Sequence, residues 1–383
     1  MIKLSFSDIA RKRVFKDRDE LFSLIPKKGI IGRIEEKNNL VMELSPLLLN
    51  SSTRGIFVQG SPGTGKTSCI LELLDELGTE LKRQKLNFSK VYINCSENRK
   101  ESTILLECLK QLNPSKKYPK TWVKSKAIDE FYAYVKSHKD TLITIILDEV
   151  DFVLKTEGDD ILYRLSRINS YLKSKINVLY ISNDENISKY IKRKTISSLG
   201  RVKISFLPYD EEELKDILKS RIKFAFNKNI VTVSAVNKIS EIEANKSGDA
   251  RKALTVLDHC GKILMTSKSN KIDLNVVEEA YRLIEMEDQE DLIDQMNLHD
   301  KVTYFTILRK NKKEYDLESL FNFYKDSCSF YDIMPKTKRS LSLILKKLEK
   351  DDFIDYNARS KVVKISIDNI LRKKMIKRIR DLI

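Results

Sequence analysis

Residues Gly60, Ser61, Pro62, Gly63, Thr64, Gly65, Lys66 and Thr67 follow the spacing G-x-x-x-x-G-K-T. Glycines in such a run free backbone N–H groups to fold around an anion. The lysine reaches the β and γ oxygens of a nucleoside triphosphate, and the hydroxyl after it can hold Mg²⁺. The run stands where that chemistry needs it, after the apolar stretch GIFVQ (55–59) and before the helical pattern TSCILELLDEL (67–77). A second group of residues completes such a site. LITIILDEVD (142–151) is an apolar strand pattern ending in acids. There Asp148 would bind Mg²⁺ through its water shell and Glu149 would orient and polarise the attacking water, because phosphoryl transfer depends on positioning and charge neutralisation. Asp151 fits either a further polar neighbour or a helix cap. Asn183 ends another apolar run, YIS; its residue type fits a turn former and equally a contact to the γ-phosphate or the attacking water. ATP and Mg²⁺ are the ligands these residues imply.

One more stretch raises an electrostatic question. SGDARKALTVL (247–257) begins as a helix start, with Ala253, Leu254 and Leu257 at helical spacing. Arg251 then falls in the first turn, where the helix dipole disfavours a cation by roughly 0.3–1 kcal/mol. A γ-phosphate reached from that helix would recover the cost; a salt bridge to Asp249 or a neighbouring acid would also do so.

The elements that position these residues alternate short apolar runs with amphipathic segments from 55 to 206, the pattern of a parallel sheet covered by helices. Strands are predicted at 55–59, 90–95, 142–147, 177–182 and 202–206. Helical patterns then fill 209–226, 234–246, 249–266 and 275–285, followed by the acidic EMEDQEDLIDQ (285–295), read as a solvated linker or exposed helix. Three domains are expected: an α/β nucleotide-binding domain (1–207), a helical lid (208–296) and a basic C-terminal module (297–383).

That module holds 21 Lys and Arg against 12 Asp and Glu, more than half of the formal net charge of +16. Helices at 300–310 and 317–327 precede PKTKRSLSLILKKLEKD, in which Leu341, Ile344, Leu345 and Leu348 define one buried face. Two short strands around NARS follow as a wing. A winged helix in this order would place Lys336, Lys338, Arg339 and Ser342 on a helix entering the major groove, with Arg359 and Lys361 on the wing beside the backbone. The same cations also fit an ordinary solvated helix face.

Taken in order, GSPGTGKT, IILDEVD, ISND, SSLGRVKISFLPYDEEELKDIL and SGDARKAL resemble the AAA+ ATPases of the initiator clade, specifically archaeal replication initiators of the origin-recognition and helicase-loading type. The resemblance runs from about Phe15 to the C-terminus. It implies an adenine pocket in GIIGRIEE (29–36), with Ile31 and Arg33 against the nucleotide, and makes Asn183 the first sensor and Arg251 the lid sensor. Arg193 and Arg201 are the two candidates it leaves for a trans arginine finger. It also implies a DNA-contacting insertion between the second and third strands, where Lys120 and Lys124 interleave with Tyr118 and Trp122; an exposed loop with core-anchoring aromatics explains that stretch as well. Partners implied are double-stranded origin DNA, an MCM-type replicative helicase and further copies of this chain on DNA. The rival readings are a signalling ATPase whose winged helix touches no DNA and a clamp-loader-type motor.

At 383 residues the chain exceeds one core. Its five cysteines form no C-x-x-C pair, which argues against a disulfide framework or zinc site and for a reducing compartment. No run approaches ~18 apolar residues. The expectation is a cytoplasmic, nucleoid-associated protein with no membrane partner.

Overall fold

The computed structural model describes residues 12–383 apart from Arg54, Lys120, Arg201, Ser366 and Asp368. The chain divides into two compact units, one ending at Val277 and the other Glu278–Ile383.

The first unit is built on five parallel strands: β1 (Ile56–Gln59), β2 (Phe88–Asn94), β3 (Leu142–Asp148), β4 (Lys175–Ser182) and β5 (Val202–Ser205), in the order β2-β3-β4-β1-β5. β3 is buried along its whole length because helices cover both faces, and its continuous apolar sequence is what such a position requires. The helices around the sheet are α1 (Ile34–Leu44), α2 (Lys66–Arg83), α3 (Glu101–Leu112), α4 (Lys124–Ser137), α5 (Asp151–Thr156), α6 (Asp160–Leu172) and α7 (Arg193–Leu199). On α2, Cys69, Ile70, Leu73, Leu74 and Leu81 recur at helical spacing, and this stripe is buried against β1 and β4 residues such as Val58 and Leu179.

The lid helices are α8 (Glu211–Ala225), α9 (Val233–Lys246) and α10 (Ala250–Thr266). Each begins on a side chain that accepts an orphan N–H: Asp210 from Glu213, Thr232 from Ala235, and Asp249 from Arg251. They belong to the same compact unit as the sheet.

Of the two readings of the acidic stretch 285–295, linker or exposed helix, the structure has the helix. A single helix, α11 (Leu274–Gln295), runs through it, and the division between the units falls inside this helix. Met286 and Ile293, two turns apart, are buried in the C-terminal core. Glu290 pairs with Lys374 at 2.6 Å, and Asp294 pairs with Arg378. The acids therefore face cations of a later helix, a partner that periodicity along one segment cannot reveal.

The second unit continues with α12 (Leu298–Lys310), β6 (Glu314–Asp316), α13 (Leu317–Phe330), α14 (Lys338–Lys350), β7 (Asp355–Asn357), β8 (Val362–Lys364) and α15 (Asn369–Leu382). The strands form an antiparallel sheet in the order β6-β8-β7, giving the helix–strand–helix–helix–hairpin order of a winged helix. Leu341, Ile344, Leu345 and Leu348 of α14 are buried, as their spacing predicts. All five cysteines are buried and unpaired, and burial pushes the thiols of Cys69 and Cys260 up to about 12. Among the described residues no helix is long and apolar enough to cross a membrane.

Candidate nucleotide site and nucleic-acid interface

The loop between β1 and α2 bends through Gly63 (φ 72°) and Gly65 (φ 85°), both in the left-handed region. A side chain on Gly63 would overlap the Asp249 carboxylate, so this glycine is what lets the lid close onto the loop. Ala250 N donates to Gly63 O there at 3.3 Å. Lys66 is buried, and its ammonium donates to the carbonyls of Gly60 and Ser61, each at 2.7 Å. Burial lowers its pKa to about 8; Asp148 opposes that shift and Arg251 adds to it. A desolvated ammonium held by carbonyls at the mouth of a helix is suited to receive an anion.

The acids end β3. Asp148 is buried, and its Oδ2 accepts from Thr67 Oγ1 at 2.7 Å and from Tyr92 Oη at 2.9 Å; Oδ1 accepts from Glu149 N at 2.9 Å. Thr67 and Asp148 thus present adjacent hard oxygen donors, the kind Mg²⁺ takes alongside substrate phosphates. Glu149 has φ 54°, a conformation that costs a non-glycine residue on the order of 1–3 kcal/mol and turns its side chain off the strand line. Asn183 Nδ2 lies 3.4 Å from Glu149 Oε1. The sheet order explains this meeting: β4 lies between β1 and β3, so the residue leaving β4 emerges between the phosphate loop and the acids. Asp151, left with two readings by sequence, accepts from Ser182 Oγ at 3.1 Å and Asn183 N at 3.4 Å, and so braces the end of β4.

A cavity of about 350 Å³ joins these groups to the lid. Lys66, Thr67, Asp148, Glu149 and Asn183 line it, Arg251 and Leu254 face it from α10, and Leu21, Leu24 and Ile31 supply an apolar end. Arg251 is exposed, its backbone N–H is capped by Asp249 Oδ1 at 2.8 Å, and among the described residues no carboxylate pairs with its guanidinium. Gly63, Thr64 and Gly65 line the cavity; Gly60, Ser61 and Pro62 do not, and the first two act through their carbonyls on Lys66.

Arg33 departs from expectation. It lies buried beneath the loop instead of against a nucleotide: its guanidinium donates to Thr64 O at 3.2 Å and Leu207 O at 2.6 Å, pairs with Glu36 at 3.0 Å, and stacks 3.8 Å over the Tyr209 ring. Its φ of 59° at the start of α1 turns the chain there. Arg33 is a brace that ties the loop to β5 and the lid. Tyr92 and Tyr209 also line the cavity, and although Tyr209 lies within SSLGRVKISFLPYDEEELKDIL, neither is among the expected site residues. The available signal was the alternation of β2, whose Asn94 pairs with Asp148 in register.

Structure also sorts the cations of the basic module. Lys338 pairs with Glu318, and Lys347 pairs at 2.6 Å with Asp300, a residue 1% exposed. Arg339 and Lys346 are exposed on α14, Ser342 is half-buried beside them, and Lys336 is exposed just before the helix. On the wing, Asn357 Oδ1 accepts from Arg359 N and Ser360 N at 3.0 Å each, holding a turn from which Arg359 and Lys361 are exposed. In the β2–β3 insertion, Tyr118 is buried and Trp122 packs against the core edge-on to it. Lys124 pairs at 2.6 Å with Glu101, itself buried, which also takes Arg164 at 2.6 Å. These contacts anchor the insertion to the core, the second of the two readings of that stretch. Lys120 and Arg201 lie outside the described residues; Arg193 is exposed at the first turn of α7 and does not line the cavity.

Known proteins share this fold. A family model described as an AAA domain matches residues 49–186, and one described as the Cdc6 AAA+ ATPase-type lid domain matches residues 215–282. The chain is 30% identical over 357 residues to an ORC1-type DNA replication protein of Thermococcus onnurineus, covering 91% of this chain and 86% of that protein. It is likewise 30% identical over 343 residues to ORC1-type DNA replication protein 1 of Archaeoglobus fulgidus, covering 88% and 82%. Among solved structures, the Aeropyrum pernix ORC1 protein in complex with DNA has the same fold, with a TM-score of 0.72 at 23% identity over 97% of this chain and 99% of that one. From the AAA core, the Cdc6-type lid and relatives matched along nearly their full length, the chain belongs to the ORC1-type DNA replication protein family of AAA+ ATPases.

Proposed function

We propose that this protein is an ATP-dependent initiator that binds double-stranded DNA at a replication origin and helps load an MCM-type helicase, with ATP binding and slow hydrolysis acting as its switch. The observation that carries this reading is the convergence of Lys66, Asp148, Glu149, Asn183 and Arg251 on one cavity between sheet and lid. Mg²⁺, when bound, neutralises developing charge on the phosphates. Thr67 and Asp148 would hold it, and Lys66 would meet the β and γ oxygens. Glu149, with Asn183 donating to it, orients the attacking water. Arg251, reaching from the lid, pairs with the γ-phosphate, so that ATP and ADP leave the lid in different states.

DNA binding is assigned to the exposed Lys336, Arg339, Arg359 and Lys361, with the half-buried Ser342 beside them. Support comes from their exposure around a winged-helix hairpin and from the Aeropyrum pernix relative, which was solved with DNA. The working division is 1–207 for nucleotide chemistry, 208–296 for the lid and 297–383 for DNA. Arg193 and Arg201 are the finger candidates if copies associate on DNA. In the test, Glu149→Gln in the full chain retains ATP binding, loses turnover by roughly a hundredfold or more, and binds duplex DNA with the steep salt dependence of phosphate contacts. Turnover at the wild-type level would reassign the water-orienting acid. An absence of salt-dependent DNA binding would favour the signalling ATPase.

A further inference from the structure

Asp148 is held by three donors from three different places: Thr67 at the start of α2, the backbone of Glu149, and the phenol of Tyr92 on β2. The first two belong to the motifs that define the site. Tyr92 belongs to none, and β2 is the edge strand of the sheet, where fraying is easiest. That edge is closed locally. Gln111 of α3 accepts from Tyr92 N with Oε1 at 3.1 Å and donates to Tyr92 O with Nε2 at 2.8 Å. One carboxamide thus gives Tyr92 the pair of hydrogen bonds that a neighbouring strand would otherwise supply.

We propose that Tyr92 is a positioning residue for the metal–nucleotide site, its phenol fixing the rotation of the Asp148 carboxylate, and that Gln111 acts through Tyr92 by clamping its backbone. This rests on the nucleotide-site reading above. When a lone pair of the Thr67 hydroxyl is given to a cation, Tyr92 Oη and Glu149 N still define the plane of the carboxylate. The phenol donates its O–H to Asp148 Oδ2 at 2.9 Å. The half-buried ring lines the cavity wall, so Tyr92→Phe removes the hydroxyl and leaves the packing in place.

The experiment uses the full chain and a fluorescent ATP analogue, titrated in EDTA and then across Mg²⁺ concentrations, with Mn²⁺ binding to the nucleotide complex followed by electron paramagnetic resonance. For Tyr92→Phe, nucleotide affinity in EDTA stays within about twofold, while the metal needed for half-saturation rises about tenfold, the low end for loss of an outer-shell partner. Gln111→Ala moves the metal dependence in the same direction by a smaller factor. An unchanged metal dependence in Tyr92→Phe overturns the proposal. So does an equal loss in EDTA and in Mg²⁺, which would make Tyr92 a packing residue. A wild-type chain whose nucleotide binding ignores Mg²⁺ would instead overturn the nucleotide-site reading itself.

Discussion

The phosphate site of the first unit and the basic face of the second both use cations suited to anionic oxygen, yet they treat those cations in opposite ways. In the first, one lysine is buried, desolvated and aimed by two carbonyls, and Asp148 and Glu149 from the end of β3, Asn183 from the end of β4 and Arg251 from α10 converge on the same cavity. In the second, the cations are spread over a helix and a hairpin, and acids within the unit decide which remain available. A convergent site concentrates field at one point and is legible as a motif. A distributed surface works by the sum of many weak, screened contacts. Which lysine matters there depends on its neighbours across the fold.

Four predictions sharpen or break this contrast, the largest effect first. Removing the convergent cation, Lys66→Ala, lowers ATP affinity on the order of a hundredfold, the loss of two or more charge-assisted contacts. Thermal unfolding without nucleotide stays close to wild type, because the buried ammonium is held by neutral partners, the Gly60 and Ser61 carbonyls and the Thr64 hydroxyl. An affinity within a few-fold of wild type, measured by calorimetry, would mean that the loop does not bind through this lysine.

Arg251→Ala should cost ATP roughly tenfold in affinity while ADP stays within about twofold, since a guanidinium on a γ-phosphate is one strong charge-assisted pair. Equal losses for both nucleotides in parallel titrations would leave Arg251 a structural residue of the lid.

On the distributed surface the effects are smaller and depend on pairing. Arg339→Ala and Lys346→Ala should each weaken duplex binding a few-fold and reduce the magnitude of the salt slope by about 1. Lys338→Ala and Lys347→Ala should hardly change the slope. Lys347→Ala instead leaves the buried Asp300 without its partner and costs about 1 kcal/mol of stability, discounted from the value for a fully buried pair because the lysine is half-exposed. Equal salt slopes for all four variants would show that the internal acids do not sort these cations.

The pH dependence is the smallest effect. Lys66 has its pKa lowered to about 8 in the nucleotide-free fold, and phosphates bound to it would raise that value. Nucleotide binding therefore takes up protons near pH 8, and affinity falls a few-fold as pH rises from 7 to above 8. Stability of the free fold has the opposite sign. Between about 8 and 10.5 the unfolded chain holds a proton that the folded chain has released, so folding is favoured as pH rises through that window. Calorimetry in buffers of different ionisation enthalpy reads the proton uptake directly; its absence would place Lys66 fully charged before ATP arrives.

How much was legible follows the same contrast. GSPGTGKT, the acids after LITIIL, Asn183 and Arg251 could be found because each sits at a fixed offset from an element whose pattern is local. The five strands fall within about two residues of their expected limits because buried parallel strands read as continuous apolar runs. Arg33 misled because a positive-φ turn that directs it under the loop leaves no trace in residue type. The acidic run 285–295 left linker and exposed helix open for a different reason. Its polar face hid the Met286 and Ile293 stripe, and its counter-charges, Lys374 and Arg378, lie some eighty residues later.

By itself, then, the sequence determined the order of the elements and the residue types each would carry: a glycine-rich loop with its lysine, a strand ending in acids, a lid helix carrying an arginine, and a basic winged module. These depend on short-range spacing, which the covalent chain carries with it. Tertiary structure decided which of those groups meet and which are neutralised. It inserted β4 between β1 and β3 so that Asn183 reaches Glu149, brought the Tyr92 phenol to the Asp148 carboxylate and the Gln111 carboxamide to the Tyr92 backbone, and paired Lys338, Lys347 and Lys124 with acids distant in the chain. Hydrogen bonds and ion pairs act over a few ångströms, and only the folded chain brings residues so far apart in sequence within that range.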